Sequence, residues 1–574
     1  MTNVTTAKDI GSKVVPFVYI AGLALLLVFI QRRVEFVSEL LDGLHETATH
    51  NLWILSFLIA LFGLALVLLQ GFTYQVAFSS VMLIPITLSI WATWFGRIQL
   101  STYDASSVID LAWRLNSGQS PGSDFPNTLP PVHIILSKLS WIIFGYRWTS
   151  FTWLSLICTI VFLISSIFAW VYCSRNRSSS QIIVLTSLMV IPHVVIGHLW
   201  HSSTTALIAV ATSCWLIAVV RNVVSKPIHC IFGIHLALLV CAKPNVGLPM
   251  ALILVGLCIL TLWRNWLALS RVFGCTFIGT SLIFYVSGVN IRDYVHTLIG
   301  LAGSRSTPNM LFPDGVDGYF QNRLTTLYLS CTILLLIYGC FSLSSLIRKH
   351  TSRWLELMVG VGTFSTGLFG MATNWDIKES SIPLMLFGLL IFSSVALWRE
   401  INILRREIMI LPMLILAMWV LLSSFMLGAS RWRMELTGPM FQRGVTSEFR
   451  GTMLHQVKGA PLLHAVVEQT QKVLEAESPK SVFFGPRMEF LYSQFEIKSP
   501  LGLPIWWHEG TSYLASDFLG ISRAFEQEKF DILIFFKNDY TRFPRSLQQF
   551  ISLNYAKDEA HSQLTLFRIT SSKK

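Results

Sequence analysis

The sequence predicts a polytopic α-helical membrane protein, with about 13 transmembrane helices, that ends in a small extracytoplasmic α/β domain. Three observations lead there. Long charge-free apolar blocks recur through the first three quarters of the chain, as in 14–30 and 52–69, each about long enough to cross a bilayer core. Paired basic residues fall in short connections at alternate ends of these blocks. After residue 428 the long blocks stop, and short β-rich runs alternate with a helical pattern.

The apolar bias is global. Of the 574 residues, 53% are hydrophobic and only 13% charged, far from the usual balance of a soluble protein. The first block follows Lys8 and Lys13 as a signal peptide would, but it lacks a small-x-small cleavage site and many spans follow, so it reads as a retained helix. Thirteen spans are expected, at roughly 14–30, 52–70, 77–95, 148–172, 181–197, 203–220, 228–242, 246–263, 272–289, 324–347, 354–371, 382–398 and 408–428. The net charge of +12 is carried largely by pairs such as Arg175/Arg177, Arg264/Arg271 and Arg405/Arg406. That is the positive-inside pattern, which reports orientation rather than a nucleic-acid partner. It sets the N-terminus in the cytoplasm, and an odd span count then sets the C-terminus outside. The nine cysteines all lie in or beside apolar blocks without ligand spacing, and read as small buried hydrophobes.

The chain divides into a transmembrane part, 1–428, and a tail, 429–574. Within the first part, two connections are long enough to carry chemistry, 96–147 and 290–323. On this topology both face the same side as the tail. The cytoplasmic connections are too short for a nucleotide-binding domain. In the tail, 459–475 has helical periodicity, and SVFFG (481–485), FDILIFF (530–536) and LTLFRI (564–569) read as strands. The alternation favours a layered sheet. No GxGxxG follows a strand, which removes support for a dinucleotide site.

The connection 96–147 carries the strongest chemical signal. The stretch 103–114 reads as a short amphipathic helix suited to a membrane surface, with Val108, Leu111, Ala112 and the following Leu115 on one face. Asp110 and Arg114, four apart on the other face, read as an exposed helical ion pair. Asp104 stands at the junction of span and helix. It serves either as the helix N-cap or as a carboxylate at the lipid–water boundary able to act as a general base. A turn-rich stretch, 118–131, contains Asp124. A second amphipathic helix follows from Val132 to Phe144, with His133, Ser137 and Ser140 along a polar stripe, and ends at Gly145.

This ordered series resembles the first outer loop of the C-superfamily (GT-C) glycosyltransferases. It runs from an Asp after a span to an amphipathic helix, a Gly some fourteen residues on, Asp-Phe then Pro-Pro, a second amphipathic helix and Phe-Gly. Protein O-mannosyltransferases and the bacterial aminoarabinose transferase of lipid A belong to that group. The local match covers roughly fifty residues; the plan of many spans with an outer C-terminal domain extends it loosely along the chain. The resemblance implies transfer of a sugar from a polyprenyl- or dolichyl-phosphate-linked donor on the outer side of the membrane. It places Asp104 on the family's catalytic acid and Asp124 on a position often acidic there. Many members carry a second acid directly after the first, whereas this chain has Ala105, which leaves metal binding by an acidic pair without support. Asp124 is equally well read as a turn former before Pro126.

Such a transfer needs positive charge near the departing phosphate. Lys243, in the polar break Cys241–Asn245 between two apolar blocks, is the leading candidate, since an ionisable residue at membrane depth is costly. Snorkelling to headgroups is its structural alternative. His198 and His201 flank Trp200 in an outer turn, suited to contact with a sugar or phosphate or to interfacial packing. Two histidines are too few for a metal site. Arg305 and Arg323 in the second outer loop are further phosphate candidates. No cofactor is required, and a divalent cation has no support. The expected partners are the bilayer, a lipid-linked sugar donor, and a glycan, lipid or protein acceptor. The expected location is a bacterial inner (plasma) membrane: no outer-facing Asn-x-Ser/Thr sequon occurs, the two matches at Asn3 and Asn176 falling on the cytoplasmic side. Two alternatives stay open: a transporter or flippase of a lipid-linked glycan, and a non-catalytic envelope assembly protein.

Overall fold

The structure is a computed structural model that describes residues 102–173, 179–304, 354–373, 380–396, 447–448, 453–454, 457–459, 461–509, 512–536 and 543–570, with isolated positions at 85–92 and 421. Among the described residues, eleven helices precede the tail: α1 (Thr102–Asn116), α2 (Pro131–Phe144), α3 (Trp148–Ile167), α4 (Ser179–Ile196), α5 (His201–Arg221), α6 (Lys226–Val240), α7 (Pro244–Leu262), α8 (Trp266–Ser287), α9 (Ile291–Ser304), α10 (Trp354–Thr373) and α11 (Ile382–Ala396). Eight of the expected spans fall on α3–α8, α10 and α11. Those at 14–30, 52–70, 77–95, 324–347 and 408–428 lie outside the continuously described residues. Among the described residues four helices are long and apolar enough to cross a membrane: α3 with its π-helical extension Phe168–Cys173, α5, α7 and α8.

Local chemistry explains several boundaries. Prolines open α2, α6 and α7 at their first or second positions, where the missing N–H has no intrahelical partner to lose. Helix α5 is buried almost throughout, from Ser202 to Val219, and packs against α3, α4, α6, α7 and α10. Its run of Ser, Thr and Ala lets neighbours approach closely, and Thr204, Thr205, Thr212 and Ser213 return their hydroxyls to carbonyls one turn back. Helix α8 is the opposite case: Phe277, Ile278, Leu282 and Tyr285 are exposed, an apolar outer face suited to lipid. Helices α10 and α11 touch at Gly360 and Gly388, where a Cβ on Gly388 would meet the Gly360 carbonyl at 2.8 Å. Arg221 of α5 reaches Glu356 of α10 with two hydrogen bonds, 2.9 Å from Nε and 3.0 Å from Nη2.

The tail contains β1 (Ser447–Glu448), β2 (Lys458–Gly459), α12 (Pro461–Glu477), β3 (Val482–Phe484), α13 (Phe490–Gln494), α14 (Phe518–Glu528), β4 (Ile532–Phe536), α15 (Arg545–Asn554), β5 (Tyr555–Asp558) and β6 (Leu564–Ile569). Strands β3, β4 and β6 coincide with the three β-rich runs of the sequence. They form a four-stranded sheet in the order β3-β4-β6-β5, parallel between β3 and β4 and antiparallel elsewhere. The two-residue period of the strands sorts their side chains. Phe483, Leu533, Phe535 and Phe567 join an aromatic core with Phe525, Phe530 and Phe543. Val482, Phe484, Ile532, Ile534, Leu564 and Leu566 face the other way, and that second core runs on through Phe490 and Leu491 into the core of the helical part. In its packing the tail is thus continuous with the helical part, because the sheet face that α12 covers shares one apolar cluster with α1.

Candidate functional site

Helix α1 is enclosed on two sides. Ala105, Val108, Ile109 and Ala112 enter the main core, while Leu111 and Leu115 pack with Phe125, Leu129, Ile134 and Ile505 in a smaller one. The exposed ion pair expected of Asp110 and Arg114 is corrected here: both side chains are buried, at 0% and 1% exposure. The cause is the tail, which lies across that face. Arg114 Nε donates to Asp110 Oδ2 at 2.8 Å, and Nη1 donates to the Pro500 carbonyl at 2.8 Å and to Gln119 Oε1 at 3.2 Å. Ser499 donates to the second Asp110 oxygen at 2.6 Å, and Gln119 donates to the Ser499 carbonyl at 2.7 Å. Every charged group here has a partner, as burial demands. Burial pushes the Asp110 carboxyl upward, against the pull of Arg114 and Ser499.

One turn earlier on the same helix, Ser106 donates to Glu489 Oε2 at 2.6 Å and accepts the Phe490 N–H at 3.1 Å. Trp113 Nε1 donates to the Ile497 carbonyl at 2.8 Å. Helix α1 is therefore held by the tail at Ser106, Asp110, Trp113 and Arg114. Asp104 lies inside the first described turn of this helix, third from its start at Thr102. Sequence reasoning missed Glu489 and Ser499: neither has a local motif, and their partners stand more than 380 residues away.

The structure gives Asp124 a turn role. Its Oδ2 accepts the Ser120 N–H at 2.7 Å, and its carbonyl accepts the Gly502 N–H at 2.6 Å, so the turn is also a docking point for the tail.

A second cluster forms where α2, α5 and the turn before α7 meet. Lys243 is buried, Nζ donates to Ser202 Oγ at 2.9 Å, and its backbone N–H donates to Thr205 Oγ1 at 3.0 Å. Ser202 Oγ and His201 Nδ1 share a hydrogen bond of 3.0 Å. The His201 ring lies 4.3 Å from Trp200 and 5.8 Å from His133 between centroids. His198 packs on Trp148 at 5.0 Å, with Nδ1 hydrogen-bonded to the Ile196 carbonyl at 3.1 Å. The start of α2 is tied to this turn by the Val132 N–H on the Cys241 carbonyl, 3.2 Å. Burial holds the His133 imidazole down at about 3, so it is neutral. The sequence candidates Lys243 and His201 are thus brought together, with His198 nearby. Arg305 and Arg323 lie outside the described residues. Among the described residues no group of three or more His, Cys, Asp or Glu side chains is arranged to hold a metal ion.

No family model matches the chain, and no curated protein sequence matches it. Solved structures do match. The crystal structure of ArnT from Cupriavidus metallidurans bound to undecaprenyl phosphate is similar with a TM-score of 0.50 at 12% identity, over 86% of this chain and 98% of that one. The same protein in its apo state gives a TM-score of 0.47 at 12% identity, over 85% and 98%. The Archaeoglobus fulgidus oligosaccharyltransferase in complex with Zn and sulfate gives 0.37 at 11% identity, over 80% and 68%. The fold assignment rests on the first of these: over most of its length the chain shares the fold of that ArnT structure.

Proposed function

We propose that this chain is a membrane glycosyltransferase that moves a sugar from a polyprenyl-phosphate-linked donor to an acceptor outside the cytoplasm, with inversion at the anomeric carbon. The observation that carries the reading is the fold shared over 86% of this chain and 98% of a protein whose structure holds undecaprenyl phosphate. The buried Lys243 supports it, since a cation held beside Ser202 and His201 is what a departing phosphate needs. In the proposed step, Asp104 takes the proton of an acceptor hydroxyl as its oxygen bonds to the anomeric carbon. The bond from that carbon to the phosphate oxygen breaks, and polyprenyl phosphate leaves with the electron pair. Lys243 stabilises the charge gathering on it, and His198 and His201 are proposed to line the same site. Asp124 is proposed to act there through its turn, and Arg305 and Arg323 as further phosphate contacts. The orientation, with the tail and both long loops outside the cytoplasm and in a bacterial plasma membrane, belongs to the same proposal.

Purified protein supplied with a polyprenyl-phosphate sugar and a panel of hydroxyl acceptors tests this reading. Transfer by the wild type, reduced roughly 10²- to 10⁴-fold in Asp104→Asn, is expected for loss of a general base. Undiminished transfer by Asp104→Asn would remove the base assignment, and no turnover by the wild type would remove the enzyme.

A further inference from the structure

We infer that Glu489, on the tail, is a positioning residue for the loop helix α1, holding through Ser106 the turn that carries Asp104, and that it does so while protonated. The inference deepens the functional reading above and rests on it only for the role of Asp104.

The contact is reciprocal. Ser106 Oγ stands 2.6 Å from Glu489 Oε2 and takes the N–H of Phe490 at 3.1 Å. Both side chains are buried, Ser106 at 1% and Glu489 at 2% exposure. The second carboxyl oxygen, Oε1, is buried with no hydrogen-bond partner among the described residues. A carboxylate buried from water with Ser106 as its one side-chain donor is poorly solvated. A neutral acid suits the place: Oε2 still accepts from the Ser106 hydroxyl, which in turn accepts from Phe490, and no charge falls on the partnerless Oε1.

The charged and titratable groups facing Glu489 agree. From α1, Asp110 adds a like charge, and Arg114 is already committed to Asp110, Gln119 and Pro500. From its own helix comes Tyr492, whose hydroxyl accepts the Phe484 N–H at 3.1 Å. The backbone amides of Arg487 and Glu489 favour the ionised form, but burial outweighs them and pushes the carboxyl up to about 8. A raised acid contributes stability that is fully present below its unfolded value, near 4.5, and is lost as pH rises toward 8. Above that, a second buried negative charge beside Asp110 loosens α1 and the Asp104 turn with it.

The test uses the full chain in detergent as wild type, E489Q and E489A. Hydrogen exchange over residues 102–116, corrected for intrinsic rates, is followed between pH 6 and 9.5, alongside turnover of a polyprenyl-phosphate sugar. In the wild type, α1 protection should fall about tenfold per pH unit as pH rises toward 8 and level off above it, as expected for one linked proton. E489Q, neutral at every pH, should show no such fall, while E489A should be weakly protected throughout. Turnover should lose its alkaline limb of kcat in E489Q with the donor KM unchanged. A wild-type protection that stays flat with pH, or an E489Q profile that tracks the wild type, would overturn the inference. If the wild type turns over no lipid-linked sugar, the functional reading fails while the exchange data still decide the role of Glu489.

Discussion

Replacing Arg114 by Met keeps most of the side-chain volume and removes the charge that neutralises Asp110. The carboxylate would then sit at 0% exposure with Ser499 as its remaining side-chain partner. It can escape that state by taking up a proton, which limits the cost. Protonating a carboxyl of ordinary affinity at pH 7 costs about 4 kcal/mol, from ~1.4 kcal/mol for each of roughly three pH units. This agrees with the ~3–5 kcal/mol typical of breaking a buried pair from one side. The Pro500 carbonyl and Gln119 also lose their shared donor. Opening of α1 should therefore become roughly 10²- to 10³-fold easier, read as lost exchange protection across residues 102–116. The penalty should shrink by ~1.4 kcal/mol for each pH unit below 7, since the variant's Asp110 binds its proton more tightly folded than unfolded. A double change, Asp110→Leu with Arg114→Met, should recover most of the protection because neither buried charge remains. If Arg114→Met left α1 protection within about threefold of wild type at pH 7, the buried and paired description of this helix face would be wrong.

Lys243→Met preserves the stem and deletes the cation. Loss of a charge-assisted contact of ~1.5–3 kcal/mol should weaken donor use about tenfold to a hundredfold, measured as kcat/KM, and an unchanged value would take Lys243 out of the site. Glu356→Ala leaves Arg221 largely buried without its two-bond partner. A cost of ~3–5 kcal/mol should appear as a lower thermal midpoint in detergent, and an unmoved midpoint would show the pair to be solvated. Trp113→Phe removes the indole donor to Ile497. About 1 kcal/mol, or roughly fivefold less α1 protection, is expected, and full protection would mean the bond contributes nothing.

What could be read from the sequence was whatever depends on neighbours along the chain. The strands of the tail were visible because β-rich runs bounded by turns need no distant information. The same holds for the helical blocks and for Asp124, whose turn is closed by Ser120 four residues away. Asp110 and Arg114 show the limit. Their spacing gave the ion pair correctly, but their burial depends on Ser499 and Pro500, and nothing near residue 110 encodes that. Glu489 was invisible for the same reason: its significance lies in Ser106, 383 positions earlier. Lys243 and His201 were singled out separately, one for its depth and the other for its turn; only the fold shows that Ser202 joins them.

The separation between Ser106 and Glu489 also has a consequence in time. At roughly 5–20 residues added per second, the 383 positions between them take about 20–80 s to synthesise. Throughout that interval α1 exists without the surface that covers Asp110 and Arg114, so the pair waits in water or at the membrane face. The loop that holds Asp104 is among the first parts made and among the last completed. A chain released before residue 489 would carry the loop's whole sequence yet lack its finished shape, so a stalled or clipped product should be inert and readily recognised as unfinished.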